Sequence, residues 1–114
     1  MKLYGIKNCD TVKKARKWLD DANITHEFHD FKKEGLDDAL LRRWEEQLGW
    51  EVLLNKRGTT WRKLPDDVRD NIDAQSAHKV MLDNPSIIKR PVVEHGGQLS
   101  VGFNADDWSA NFGR

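Results

Sequence analysis

Leu3-Tyr4-Gly5-Ile6 is a short apolar run that passes almost at once into a pattern of helical period. A run this short, bounded by Lys7-Asn8, reads as a strand buried on both faces. Beyond it Val12, Ala15, Leu19 and Ala22 recur at helical spacing with Trp18 beside the stripe, while Lys13, Lys14, Arg16 and Lys17 lie mostly outside it. The second element is therefore an amphipathic helix, with Asn8 or Asp10 as its expected N-cap and Asn23 as its expected stop. A buried strand feeding such a helix is the kind of opening a small α/β domain has.

The remaining pattern extends that opening. Ile24 to Phe31 reads as a second strand and Lys32-Lys33-Glu34-Gly35 as a polar loop. Leu36, Ala39, Leu40, Trp44 and Leu48 mark a second amphipathic helix ending at Gly49. Trp50 to Leu54 is apolar and expected helical, and Asn55 to Lys63 is expected to be a basic loop. Pro65 suits the first turn of a further helix, with Asp66 and Asp67 favoured by its dipole. Ser76 is the expected cap of a helix carrying Val80, Met81 and Leu82, which Asn84-Pro85 should end. Val92-Val93 and Leu99-Ser100-Val101 flank His95-Gly96-Gly97 as a β-hairpin, and Asn104 is positioned to cap a last helix with Trp108 and Phe112. The order is βαβ, a helical insertion over about 36–84, then ββα. A length of 114 residues fits one such domain.

Composition narrows the function classes. Nineteen basic and nineteen acidic side chains cancel, so the basic excess expected of a direct nucleic-acid binder is missing. No apolar stretch reaches the length of a transmembrane helix, and the N-terminus lacks the apolar run of a signal peptide, so a membrane partner is not expected. A single cysteine rules out an intrachain disulfide, and with no export signal the expected location is a reducing cytoplasm.

That lone thiol, Cys9, stands where the first strand gives way to the first helix. A free cysteine titrates near ~8.5, so little is thiolate at neutral pH. A helix N-terminus favours the anion, and Lys7 and Lys13 are close in sequence, although the carboxylate of Asp10 opposes them. The alternative is an inert, buried small residue, and position alone leaves both open. Arg90-Pro91 is the second notable feature. Arg90 is either a surface charge or an anion-binding group, and a cis bond before Pro91 is uncommon at ~5–6% of X–Pro bonds. His26 and His29 are paired only by spacing and satisfy no zinc pattern, so no metal is expected. Gly58-Thr59-Thr60 lacks the lysine of a phosphate-binding loop.

The segments LYGIKNCDTVKKARKWL, LLNKRGTTWRKL, NPSIIKRPVV and LSVGFN, in this order and across nearly the whole chain, resemble the arsenate reductase (ArsC)/Spx family, specifically its YffB-type branch. The resemblance implies a thioredoxin-like fold with a mixed four-stranded sheet and a helical insertion. It implies that Cys9 is a redox nucleophile, Arg90 an oxyanion-binding residue and Pro91 a cis-proline facing the cysteine. Lys7, Asn8, Asp10, Thr11, Lys13, Arg57 and Pro91 are then the candidates for contacting substrate or glutathione.

The departures from the family pattern are specific. Arsenate reductases carry a histidine where this chain has Gly5 and a serine where it has Val12. Of their three arginines only Arg90 is matched, the others falling at Asn55 and near Val101. Losing two bidentate guanidinium groups argues against arsenate as substrate. Val12 also stands where a CxxC switch would place its second cysteine, so any oxidised Cys9 needs an external thiol. The expected function is a thiol-dependent reductase acting on a disulfide or oxyanion, with no bound cofactor and glutathione or another small thiol as co-substrate. The alternative is a non-enzymatic, Spx-like regulator that binds transcription machinery.

Overall fold

The computed structural model describes residues 1–112, without the side chain of Lys32. Its elements run β1 (Lys2–Gly5), α1 (Asp10–Asp21), β2 (Glu27–Asp30), α2 (Phe31–Glu34), α3 (Asp38–Leu48), α4 (Trp50–Leu53), α5 (Thr59–Arg62), α6 (Asp66–Asp70), α7 (Ala74–Asp83), a 3₁₀ turn (Pro85–Ile87), β3 (Val92–His95), β4 (Gln98–Val101) and α8 (Ala105–Phe112). The backbone forms two compact units: Met1–Asp30 with the chain from Arg90 onward, and Phe31–Lys89.

The first unit is built on a mixed four-stranded sheet of order β2-β1-β3-β4. β1 pairs parallel with β2 and antiparallel with β3, and β3 pairs antiparallel with β4. Leu3 lies opposite both Phe28 and Val93, so these three share one face of the sheet. On that face Leu3 and Val93 pack with Val12, Ala15 and Leu19 of α1 and Trp108 of α8, with Trp18, Phe28, Phe103 and Phe112 around them. The helical stripe read from the sequence is therefore the stripe that is buried.

The ends of α1 follow from local chemistry. Its C-terminus closes by bonds from Asn23 N–H to Asp20 O (3.1 Å) and from Ile24 N–H to Leu19 O (2.9 Å). Asn23 has φ +58°, the left-handed conformation that asparagine tolerates better than most residues. The N-cap is neither Asn8 nor Asp10 but Cys9 itself, extended at φ −85°, ψ 127°. The hairpin has Gly96 and Gly97 at φ +56° and +80°, as a two-residue primed turn requires. Asn104 caps α8 through Oδ1, which accepts from Asp107 N–H at 3.1 Å.

The second unit is helical, with a core of Phe31, Leu41, Trp44, Leu53, Leu54, Ala77, Met81, Ile87 and Ile88. Asn55 N–H donates to Ile87 O and Lys89 N–H to Leu53 O, both at 2.8 Å, around an isolated bridge between Leu54 and Ile88. Several expectations need correction. The second strand is shorter than expected: Phe31 is buried at the start of α2, and the expected polar loop forms that helical turn. In α3 Trp44 is buried as expected and Leu40 and Leu48 are half-buried, but Leu41 is buried and Ala39 exposed, so the stripe takes in Leu41 and leaves Ala39 out. The basic loop holds a helical turn, α5. Pro65 is the N-cap of α6, just ahead of the first turn expected for it. Asp73 caps α7, with Ser76 three residues on returning the bond in a capping box.

His78 ties α7 to α3. Its Nδ1 lies 2.6 Å from Glu45 Oε1 and its Nε2 2.6 Å from Asp38 Oδ1, with Arg42 Nε donating to Asp38 at 2.8 Å. Burial pushes the His78 imidazole down, but hydrogen bonds to Asp38 and Glu45 outweigh it and hold its pKa above the ordinary value. A raised histidine pKa contributes stability that is complete below about 6.5 and is lost as pH rises through the folded value. His78→Ala, which leaves Glu45 without its partner, is expected to cost about 1–3 kcal/mol near pH 6. The cost should shrink at pH 8 to 9, measured by urea denaturation at both pH values. An equal cost at both would remove the charged bridge.

Candidate functional site

Cys9 is fixed from both sides by backbone bonds. Its N–H donates to Ile6 O at 3.1 Å, closing the turn through Lys7-Asn8, and its C=O accepts from Lys13 N–H at 2.9 Å as the first bond of α1. The side chain is half-buried beneath exposed neighbours Asn8, Asp10 and Thr11. As N-cap, its sulfur stands where the oxygen of serine or aspartate usually accepts from the first-turn amides. No capping hydrogen bond closes onto the sulfur, yet those amides lie close enough to favour the anion. Burial pushes the Cys9 thiol up. The Val12 amide, the Arg90 guanidinium (by hydrogen bond and by charge) and the Thr11 amide together outweigh burial and hold its pKa below the ordinary thiol value.

Arg90 is brought to the sulfur by the segment entering β3, and the Arg90–Pro91 peptide is cis. Pro91 is buried, and its carbonyl accepts from Gly102 N–H at 2.8 Å, tying the segment to the end of β4. Lys7 and Lys13 are exposed, and neither stands among the groups that chiefly act on the thiol. Arg57 is an exposed residue of the helical unit, in an Asx-type turn where its N–H donates to Asn55 Oδ1 at 3.0 Å. His26 Nδ1 contacts Ile24 O at 3.2 Å, and the His29 ring packs on Tyr4 with centroids 5.1 Å apart.

Two participants are not evident from the residue pattern. One is the backbone N–H of Val12, a residue whose side chain gives no hint of a role at the thiol. The other is Gly5, where an added Cβ would stand 2.7 Å from Val12 Cγ2. An isolated glycine in a strand signals a close approach, and that signal is present in the sequence.

The profile of the ArsC family matches residues 4–111. The chain belongs to the ArsC family. An arsenate reductase (ArsC) related protein from Brucella melitensis is 57% identical, with TM-score 0.81 over 97% of this chain and 92% of that one. A YffB protein of known structure is 50% identical, with TM-score 0.91 over 96% of each chain. The global transcriptional regulator Spx of Staphylococcus aureus is 27% identical over 92% of this chain and 81% of its own length. The sheet order and the helices on it are the thioredoxin-like arrangement of these ArsC structures. Among the described residues no helix is long and apolar enough to cross a membrane.

Within this ArsC-family fold, the positions that differ from the arsenate-reductase pattern are accounted for locally. Gly5 and Val12 are buried against each other. Asn55 is engaged with the backbone of its own loop, and Val101 is half-buried on the edge strand β4.

Proposed function

We propose that this ArsC-family protein is a thiol-dependent oxidoreductase whose nucleophile is Cys9 and whose resolving thiol is glutathione. The observation that carries the reading is the convergence of Arg90 and the first-turn amides of α1 on a half-buried sulfur, which favours thiolate over thiol. The Cys9 thiolate attacks one sulfur of a substrate disulfide, the S–S bond breaks and the other half leaves as a thiolate. A glutathione thiolate then attacks the resulting mixed disulfide and expels Cys9 as thiolate. A second glutathione reduces the glutathionylated product, so two glutathiones supply two electrons and leave as glutathione disulfide. With one cysteine in the chain, no internal resolving step exists. Arg90 orients the incoming anionic partner, and Lys7 and Lys13 supply exposed positive charge for its carboxylates. A disulfide is favoured over arsenate because Asn55 and Val101 provide no guanidinium.

Intact mass after treatment with oxidised glutathione tests this reading. One glutathione adduct is expected on the native protein and none on Cys9→Ser. Adding reduced glutathione should restore the unmodified mass. Absence of an adduct at pH 8 would rule out glutathione as the resolving thiol.

The likeness to Spx supports a second reading, an adaptor that binds transcription machinery. Retention of polymerase subunits by both the native protein and Cys9→Ser would favour it, whereas the reductase reading expects no retention.

A further inference from the structure

The close approach of Gly5 and Val12 joins the end of β1 to the first turn of α1, directly behind Cys9. An ideal Cβ at Gly5 would lie 2.7 Å from Val12 Cγ2 and 3.4 Å from Cγ1. The first distance is shorter than real side-chain contacts allow, so the position excludes every residue but glycine unless Val12 moves. Val12 has little room to do so. It is fully buried among Leu3, Ala15, Leu19, Val93 and Trp108, and its β-branch restricts rotation about χ1. The displacement falls instead on the backbone of the first helical turn.

That turn carries the amides of Thr11 and Val12 that act on the Cys9 sulfur. Cys9 itself is tethered to β1 through Ile6, whose carbonyl accepts from Cys9 N–H at 3.1 Å. The sulfur's backbone is thus held to the strand by one contact and its amide donors by another. The spacing between strand end and helix start determines how far the donors stand from the sulfur.

We propose that Gly5 and Val12 form one positioning element for Cys9. The absent side chain at residue 5 lets a γ-methyl of Val12 seat against the strand, and this seating sets the place of the first-turn amides relative to the sulfur. Both residues act on the sulfur through the backbone. The inference rests on the redox reading of Cys9 and adds to it a reason why the thiol site has glycine and valine at these two positions. The pair works as a unit: enlarging one member should be relieved by reducing the other.

The test is the pH–rate profile of Cys9 alkylation in the native protein, Gly5→Ala, Val12→Ala and the double variant, with thermal unfolding measured in parallel. Gly5→Ala is expected to raise the midpoint by about 0.5 pH, the scale of a weakened helix N-terminus. Val12→Ala should raise it by a smaller amount, because the first turn loses its seat. The double variant should return to within about 0.2 pH of the native midpoint, since an alanine methyl fills the space the valine methyls vacate. A purely structural contact would lower the unfolding temperature of the single variants and leave all midpoints equal, and that result overturns the proposal. So does a double variant that moves as far as Gly5→Ala. Should Gly5→Ala not fold, Val12→Ala carries the test, and an unchanged midpoint there overturns it. A native midpoint at or above the ordinary thiol value would defeat the redox reading instead, while the differences among variants would still report on the positioning element.

Discussion

Replacing Trp108 by alanine is expected to destabilise the sheet-bearing unit by about 3–5 kcal/mol, the usual cost of truncating a buried tryptophan. Trp108 is 3% exposed and packs into the cluster formed by Leu3, Val12, Ala15, Leu19 and Val93. Its indole meets Trp18, Phe103 and Phe112 edge-on, with centroid separations of 5.6, 4.8 and 5.4 Å. Such pairs add about 0.5–1.5 kcal/mol each beyond burial, though contacts sharing one ring do not sum independently. Against a total stability of about 5–15 kcal/mol, the loss is a large share. In urea the midpoint should fall by roughly 2 M for a slope near 2 kcal/mol/M. Trp61 offers the contrast: it is half-buried, with Lys56 Nζ 5.4 Å from its ring centroid. Trp61→Ala should cost far less. A loss below about 1 kcal/mol for Trp108→Ala would mean that α8 is not held by this cluster.

Replacing Arg90 by methionine is expected to raise the Cys9 thiol pKa and slow alkylation at neutral pH. Burial is the largest influence on the thiol and acts upward; Arg90 opposes it both as a hydrogen-bond donor and as a charge. Methionine keeps most of the side-chain length and removes both contributions, leaving the two amides against burial. Where thiol predominates, the thiolate fraction falls about tenfold for a thiol pKa higher by about 1. A more basic thiolate is also a better nucleophile, with a Brønsted slope of about 0.4–0.5, so the rate should fall by only about half the logarithmic change in thiolate. Arg90→Lys, which retains charge but loses the planar fork, should fall between methionine and the native protein. Alkylation rates across pH 5–10 check the order. A methionine variant with the native midpoint would show that Arg90 does not hold the thiolate.

The fold was legible wherever one pattern had one physical solution. The stripe Val12, Ala15, Leu19 could face only a core, and the hairpin was marked by two glycines that a primed turn demands. Errors arose where neighbouring residues competed for one role. Ser76 and Asp73 are both good caps, and only the completed helix shows that Asp73 precedes the first turn while Ser76 returns the bond from within it. Leu40 and Leu41 are adjacent and equally apolar, so the sequence does not say which of them the core takes fully; packing buries Leu41 and leaves Leu40 half-buried beside the buried Trp44. The basic run from Asn55 to Lys63 hides a helical turn because four residues are too few to show a period.

The candidate site divides in the same way. Sequence alone determined that there is one thiol, that it lies between a buried strand and an amphipathic helix, and that no second thiol is present to resolve it. Those are facts of residue type and local order, which the chain carries however it folds. Only the tertiary structure decided that Cys9 is itself the N-cap, that Arg90 reaches its sulfur from the far end of the chain through the pairing of β3 with β1, and that Gly5 makes room for Val12. Each of these depends on a distance between groups, set by strand register and by which methyl fills which gap.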